Sequence, residues 1–238
     1  SLHDALPIYD CESIVSEEDV RTVVSEWVGV PISDESSQLD KAQKIEGFLK
    51  SKIIGQDHVI EKVSRRIKNS YAGINNPDKP LAVFLFLGPT GVGKTFFSKT
   101  LANFLFDNEK SLIRVDMSEY KEEHSISKLI GAPPGYKGND EGGFLTNAIK
   151  NNPYSIVLLD EIEKSHPKIF DVFLQAFDEG RLTDGKGNTI NAKNCIFIMT
   201  SNIQLETRQD YNVAFGGTQE DMNTSYPSSG GICVLVSK

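Results

Sequence analysis

The chain has 238 residues, 39% of them apolar, and a formal net charge of -8. That is enough apolar content for one large domain or two small ones, and the wrong sign for a surface that captures nucleic-acid phosphates. The three cysteines, Cys11, Cys195 and Cys233, lie far apart with no CxxC pair, which argues against a zinc site or a disulfide framework and fits a reducing compartment. No apolar run approaches membrane-spanning length, so neither nucleic acid nor a membrane is expected as a partner. The first Lys or Arg is Arg21, and we expect a cytoplasmic protein, or an organellar stroma or matrix should the parent carry a transit peptide.

Residues 1–16 show no sustained hydrophobic period and read as a leader. The segment "SEEDVRTVVSEWVGVP" reads as an amphipathic helix opened by Ser16, with Glu17, Glu18 and Asp19 at the positive end of its dipole, and closed near Gly29 and Pro31. A second helix is predicted over 38–50 and a third over 57–71, the latter with Val59, Ile60, Val63 and Ile67 on one face. The turn-rich "GINNPDKP" ends this helical part, so residues 17–79 form a linker and the start of the next unit.

From residue 80 to 203 apolar runs alternate with helical patterns: "LAVFLFL", "LIRV", "SIVLL" and "CIFIMT". Runs without polar alternation suit strands buried on both faces, so the fold class is α/β with a mostly parallel sheet between helical layers. In "SHPKIFDVFLQAFDEG" we expect Ser165 as cap, Pro167 in the first turn, a core stripe of Ile169, Phe170, Phe173, Leu174 and Phe177, and Gly180 as stop. Residues 204–238 lose the pattern and read as an irregular tail with a short apolar end.

Between the first strand and the next helix stands "GPTGVGKT", Gly88, Pro89, Thr90, Gly91, Val92, Gly93, Lys94 and Thr95, followed by Phe96. Glycines at this spacing let backbone N–H groups curl around a phosphate chain, the helix N-terminus adds positive potential, Lys94 reaches the terminal phosphates and Thr95 ligates Mg²⁺. The match to G-x-x-x-x-G-K-[ST] arises by chance in roughly one chain in a hundred of this length, and the strand and helix on either side lower that further. We therefore expect the chain to bind Mg·ATP or Mg·ADP. A small-molecule kinase or GTPase is disfavoured, since no guanine-reading Asn-Lys-x-Asp is present.

The strand "SIVLL" ends in Asp160 and Glu161, at the edge where a parallel sheet binds its ligand. Asp160 would hold Mg²⁺ through water, and Glu161 would orient or deprotonate the water that attacks the terminal phosphate. An acidic pair alone is more often a solvated strand end; the upstream phosphate loop changes that balance. The strand "CIFIMT" runs into Thr200, Ser201 and Asn202, a weaker signal because such residues commonly cap turns. In "GAPPGYKGNDEGG", five glycines and two prolines enforce a loop around Tyr136 and Lys137. Tyr136 either folds back on the core or forms an exposed aromatic tip.

The series "VVSEWVGVP", "IIGQDHVIEKV", "FLFLGPTGVGKT", "IRVDMSEY", "LIGAPPGYKG", "VLLDEIEKSHP" and "GRLTDGKG" resembles the second ATPase module of the Clp class of AAA+ protein unfoldases, the ClpC and ClpB proteins. The resemblance covers residues 17–202, most of the chain. It implies that Ile53, Ile54 and Gly55 help form the adenine pocket, Gly88 to Thr95 the Walker A loop, Asp160 and Glu161 the Walker B pair, and Asn202 the first sensor. It implies a hexameric ring in the full-length parent, and unfolded or aggregated polypeptides as substrates. Tyr136 and Lys137 would then line the central pore, with Tyr136 gripping the polypeptide through apolar area that suits almost any side chain.

The family usually has a small aliphatic residue in place of Lys137. The loop 182–189 matches the second pore loop, with a simple Gly turn as its rival. The arginine finger and helical lid of the family find no match after Asn202, Arg208 standing too near it. The expectation is an incomplete module, with a weakly active nucleotide-binding interaction fragment as the alternative to a working motor. "YNVAFGGTQEDMN" partly resembles the ClpC stretch that contacts a peptidase ring but lacks its Gly-Phe pairing, so a ClpP-like peptidase stays an open partner.

Overall fold

A computed structural model describes residues 15–17, 19–20, 23–24, 35–106, 111–135, 142–202 and 231–236. Residues 17, 19, 20, 23 and 24 are helical. Ser16 and Asp19 cap each other there: Ser16 N–H donates to Asp19 Oδ2 at 2.8 Å, and Asp19 N–H donates to Ser16 Oγ at 3.2 Å. The exchange satisfies two first-turn donors that a helix cannot bond internally.

Helix α1 (Glu35–Lys52) is longer than the expected 38–50, while α2 (Asp57–Tyr71) has the expected bounds and buries Val59, Ile60, Val63 and Ile67. Strands β1 (Ala82–Leu87), β2 (Leu112–Asp116) and β3 (Ile156–Asp160) follow, with α3 (Lys94–Phe106) after β1 and two short helices, α4 (Ile126–Ile130) and α5 (Phe144–Asn151), between β2 and β3. Then come α6 (Lys168–Glu179), the hairpin β4 (Arg181–Thr183) and β5 (Thr189–Asn191), β6 (Ile196–Ser201) and β7 (Cys233–Val236).

The five-stranded sheet has the order β2-β3-β6-β1-β7. The first four strands are parallel, and β7 runs antiparallel to β1. All residues of β1 and β3 are buried, as expected for strands covered on both faces. Alternate side chains of β1 feed two cores: Phe84 and Phe86 pack with α1, α2 and α3, and Val83, Leu85 and Leu87 pack with α5 and α6. The molecule is an α/β three-layer sandwich, as the sequence predicts.

Three details differ from the sequence reading. In α6, Ile169, Phe173 and Ala176 are buried, but Phe170 and Leu174 are 40% and 55% exposed, so the stripe is only partly core. Ser165 does not cap α6: a 3-10 turn (Ile162–Lys164) ends at Ser165, and Pro167 holds the N-cap position. The expected irregular tail ends in a strand, β7, because its apolar Cys233 and Val234 find the open edge of β1. Gly180 does stop α6, in the left-handed conformation at φ 60°.

Among the described residues no helix is long and apolar enough to cross a membrane.

Candidate functional site

The parallel ladder brings the carboxyl ends of β1, β3 and β6 side by side, with Leu87 opposite Ser201 and Leu159 opposite Met199. The loop after β1 turns into α3 at Lys94. Gly91 and Gly93 take φ of 86° and 97°, a region that side-chain-bearing residues avoid, and this curls the loop toward the start of α3. Thr95 is half-buried in the first turn of α3, and Phe96 is exposed.

Lys94 is 7% exposed. Its Nζ donates to Gly88 O at 2.6 Å, Pro89 O at 2.9 Å and Asn202 Oδ1 at 2.9 Å. Burial pulls its pKa below the usual lysine value, opposed by the carboxylates of Glu163, Asp160 and Glu161. The ammonium thus sits in the mouth of the loop among acceptors alone, an arrangement suited to a phosphate oxygen.

Asp160 is 9% exposed at the end of β3, and both oxygens are engaged: Thr200 Oγ1 donates to Oδ1 at 2.5 Å, and Arg114 Nη2 to Oδ2 at 2.7 Å. Thr200 also accepts the N–H of Glu161 at 3.1 Å. Glu161 is the single non-glycine with positive φ among the described residues, at φ 58°. That conformation costs about 1–3 kcal/mol and collects at functional sites. Its carboxylate accepts from Asn202 Nδ2 at 3.1 Å and from Lys164 Nζ at 2.6 Å.

The sequence-predicted Gly88–Thr95 loop, Asp160, Glu161 and Asn202 therefore come together. Asn202 is the bridge, its amide oxygen toward Lys94 and its amide nitrogen toward Glu161. Of the expected adenine-pocket residues, Ile53 is buried in the core and Ile54 is 94% exposed, with Gly55 at φ 76°. The next residues touch the tail: Gln56 Oε1 accepts Ile232 N–H at 3.2 Å, and His58 Nε2 lies 2.8 Å from Ile232 O. A Cβ on Gly88 would meet Gly231 O at 2.9 Å, so the tail also abuts the 88–95 loop.

Tyr136 and Lys137 lie outside the described residues. The approach to them is described: Pro133, Pro134 and Gly135 are exposed, and Gly131 is buried at φ 100°. The hairpin turn at 184–188 is an Asp184-centred motif, its carboxylate accepting from the N–H groups of Lys186 and Asn188. Gly185 N–H donates to Ile130 O at 3.0 Å, tying this turn to the base of the 131–143 loop.

Sequence reasoning missed Arg114, Lys164 and Glu163. Arg114 carries a faint signal, a cation on the exposed side of an otherwise apolar strand two residues before Asp116. Lys164 and Glu163 stand within "DEIEK", where only the 3-10 turn decides what they reach.

Residues 79–228 match the family model described as AAA domain (Cdc48 subfamily), and residues 32–123 match that described as Torsin. The chain is 49% identical over 216 residues to the chaperone protein ClpB of Aquifex aeolicus (strain VF5), covering 90% of this chain and 21% of that protein. It is 54% identical over 208 residues to the chaperone protein ClpB of Bacteroides thetaiotaomicron, covering 87% of this chain and 24% of the relative. Over 190 residues it is 53% identical to the chaperone protein ClpB of Clostridium tetani, covering 79% and 22%. The chain spans about a fifth to a quarter of the length of these relatives.

Proposed function

The chain belongs to the AAA domain family, Cdc48 subfamily, and on that premise we propose that it is the ATP-binding and ATP-hydrolysing motor module of a Clp-type protein unfoldase. The observation that carries the reading is the Lys94–Asn202–Glu161 chain, which connects the phosphate loop to the strand-terminal carboxylate through one side chain.

Loop N–H groups and the α3 N-terminus would bind the phosphates, and Lys94 would exchange its carbonyl acceptors for phosphate oxygens. The donor set of Thr95 hydroxyl and Asp160 carboxylate is hard oxygen and fits Mg²⁺, which supplies charge neutralisation on the phosphates when bound. Glu161 would accept the proton of the attacking water, and Asn202 would report on the terminal phosphate to Glu161. Arg114 and Thr200 hold the Asp160 carboxylate in place through their hydrogen bonds.

In the parent we place this module in a hexamer acting on unfolded or aggregated polypeptide, with Tyr136 and Lys137 at the pore. The bond between Gly185 and Ile130 supports a joint movement of the two expected pore loops. A second reading, a nucleotide-binding interaction module with little turnover, draws support from Glu161, whose two oxygens are both occupied by Lys164 and Asn202.

Steady-state phosphate release by the purified chain and its Glu161→Gln variant separates the two. Turnover that vanishes in the variant establishes the motor reading. Tight binding of Mg·ADP without turnover in either establishes the interaction module, and no nucleotide binding at all refutes both.

A further inference from the structure

We propose that Glu163 is a positioning residue of this site: its carboxylate holds the main chain of Asn202 and so keeps the Asn202 amide wedged between Lys94 and Glu161. The proposal rests on the nucleotide reading above for its consequence, though not for its geometry.

Strand β6 ends at Ser201, and its pairing with β3 ends earlier, at Met199. The N–H of Asn202 therefore lies beyond both ladders, and a main-chain donor left there without an acceptor is costly. Glu163 Oε1 accepts it at 3.1 Å, across 39 residues of sequence. The reach depends on Glu161: its left-handed φ of 58° turns the chain sharply out of β3 into the 3-10 turn Ile162–Lys164 and brings Glu163 back over the end of β6.

A solvated turn acid is the plain alternative, and one atom argues against it. Glu163 Oε2 is buried and has no hydrogen-bond partner among the described residues. Carboxylate oxygens are rarely buried unpaired, so something other than solvation keeps this side chain turned inward. The bond to Asn202 supplies that reason. The charge of Glu163, with those of Asp160 and Glu161, opposes the downward pull of burial on the Lys94 pKa. Glu163 thus holds the main chain of the bridging asparagine, while Lys164, its neighbour in the turn, holds the far oxygen of Glu161.

The test uses the full chain with Glu163→Ala and with Glu163→Gln, which keeps an oxygen acceptor without the charge. The backbone amide proton of Asn202, followed by NMR without nucleotide, should move upfield in Glu163→Ala and stay close to wild type in Glu163→Gln. Calorimetric titrations with Mg·ATPγS and Mg·ADP should show the triphosphate preference falling about tenfold in Glu163→Ala, the scale of one hydrogen bond, with Mg·ADP affinity within about twofold of wild type. Glu163→Gln should restore the preference.

An unmoved Asn202 amide in Glu163→Ala overturns the proposal. So does a glutamine variant as defective as alanine, which would assign the effect to charge rather than to the bond. Wild type binding both nucleotides equally overturns the link to the terminal phosphate. A wild type that binds neither refutes the nucleotide reading, and the amide shift still decides whether Glu163 holds Asn202.

Discussion

The two glycine-rich loops, 88–95 and 131–143, look alike in composition and use their glycines for different physical ends. In the first, a Cβ built on Gly91 or Gly93 meets nothing within 4 Å. Those glycines supply only backbone conformation, and the space beside them stays open. In the second, the glycines at the base supply close approach: a Cβ on Gly143 would meet Ile130 C at 2.2 Å and Gly131 N at 2.4 Å. The turn of the β4–β5 hairpin joins the same contact, since a Cβ on Gly185 would meet Gly131 O at 2.3 Å. Glycine density marks a loop; it does not say whether the loop opens toward a ligand or is pinned to its neighbours.

The largest expected effect tests the open loop. Lys94→Ala removes an ammonium that makes three hydrogen bonds, and nucleotide affinity should fall on the order of a hundredfold or more, the worth of two charge-assisted contacts. Equal Mg·ADP affinity in variant and wild type, measured by calorimetry, would remove the phosphate-binding role from that loop.

Next in size is the pinned loop. Gly143→Ala drives a methyl into backbone that cannot swing aside, and we expect a loss of about 3 kcal/mol in a denaturant titration. A midpoint unchanged from wild type would mean that the base of this loop opens as freely as the phosphate loop, and the contrast between them would collapse.

Gly91→Ala sharpens the contrast from the other side. With φ of 86° and no neighbour near the added methyl, it should cost about 1 kcal/mol of stability through backbone strain alone. A cost as large as that of Gly143→Ala would show that the phosphate loop is packed more tightly than its open surroundings indicate.

Tyr136→Ala has the smallest expected effect on stability, within about 0.5 kcal/mol, the range of a surface substitution. In the full-length parent it should halt substrate unfolding while ATP turnover continues. A large fall in melting temperature would return Tyr136 to the core.

The partly exposed stripe of α6 shows where sequence reasoning stops. Ile169, Phe170, Phe173, Leu174 and Phe177 share one helical face by period, yet the sheet covers only part of it, leaving Phe170 and Leu174 in contact with solvent. Periodicity gives the direction of a face; the width that is covered depends on the partner. The cap is a similar case: Ser165 has the right chemistry, but the 3-10 turn before it uses its N–H and hydroxyl on Ile162 O instead.

The sequence by itself determined whatever depends on residues close along the chain. The 88–95 loop needs glycines and a lysine within eight positions, the buried strands need uninterrupted apolar runs, and Asp160 and Glu161 need only to end such a run. Tertiary structure alone decided what crosses from strand to strand. Lys94 and Asn202 stand 108 residues apart, Glu163 and Asn202 39, and Arg114 and Asp160 46. The register of a parallel sheet sets those distances. That register arises from packing two cores against opposite faces of β1, a property of all the strands together and of no short stretch of sequence.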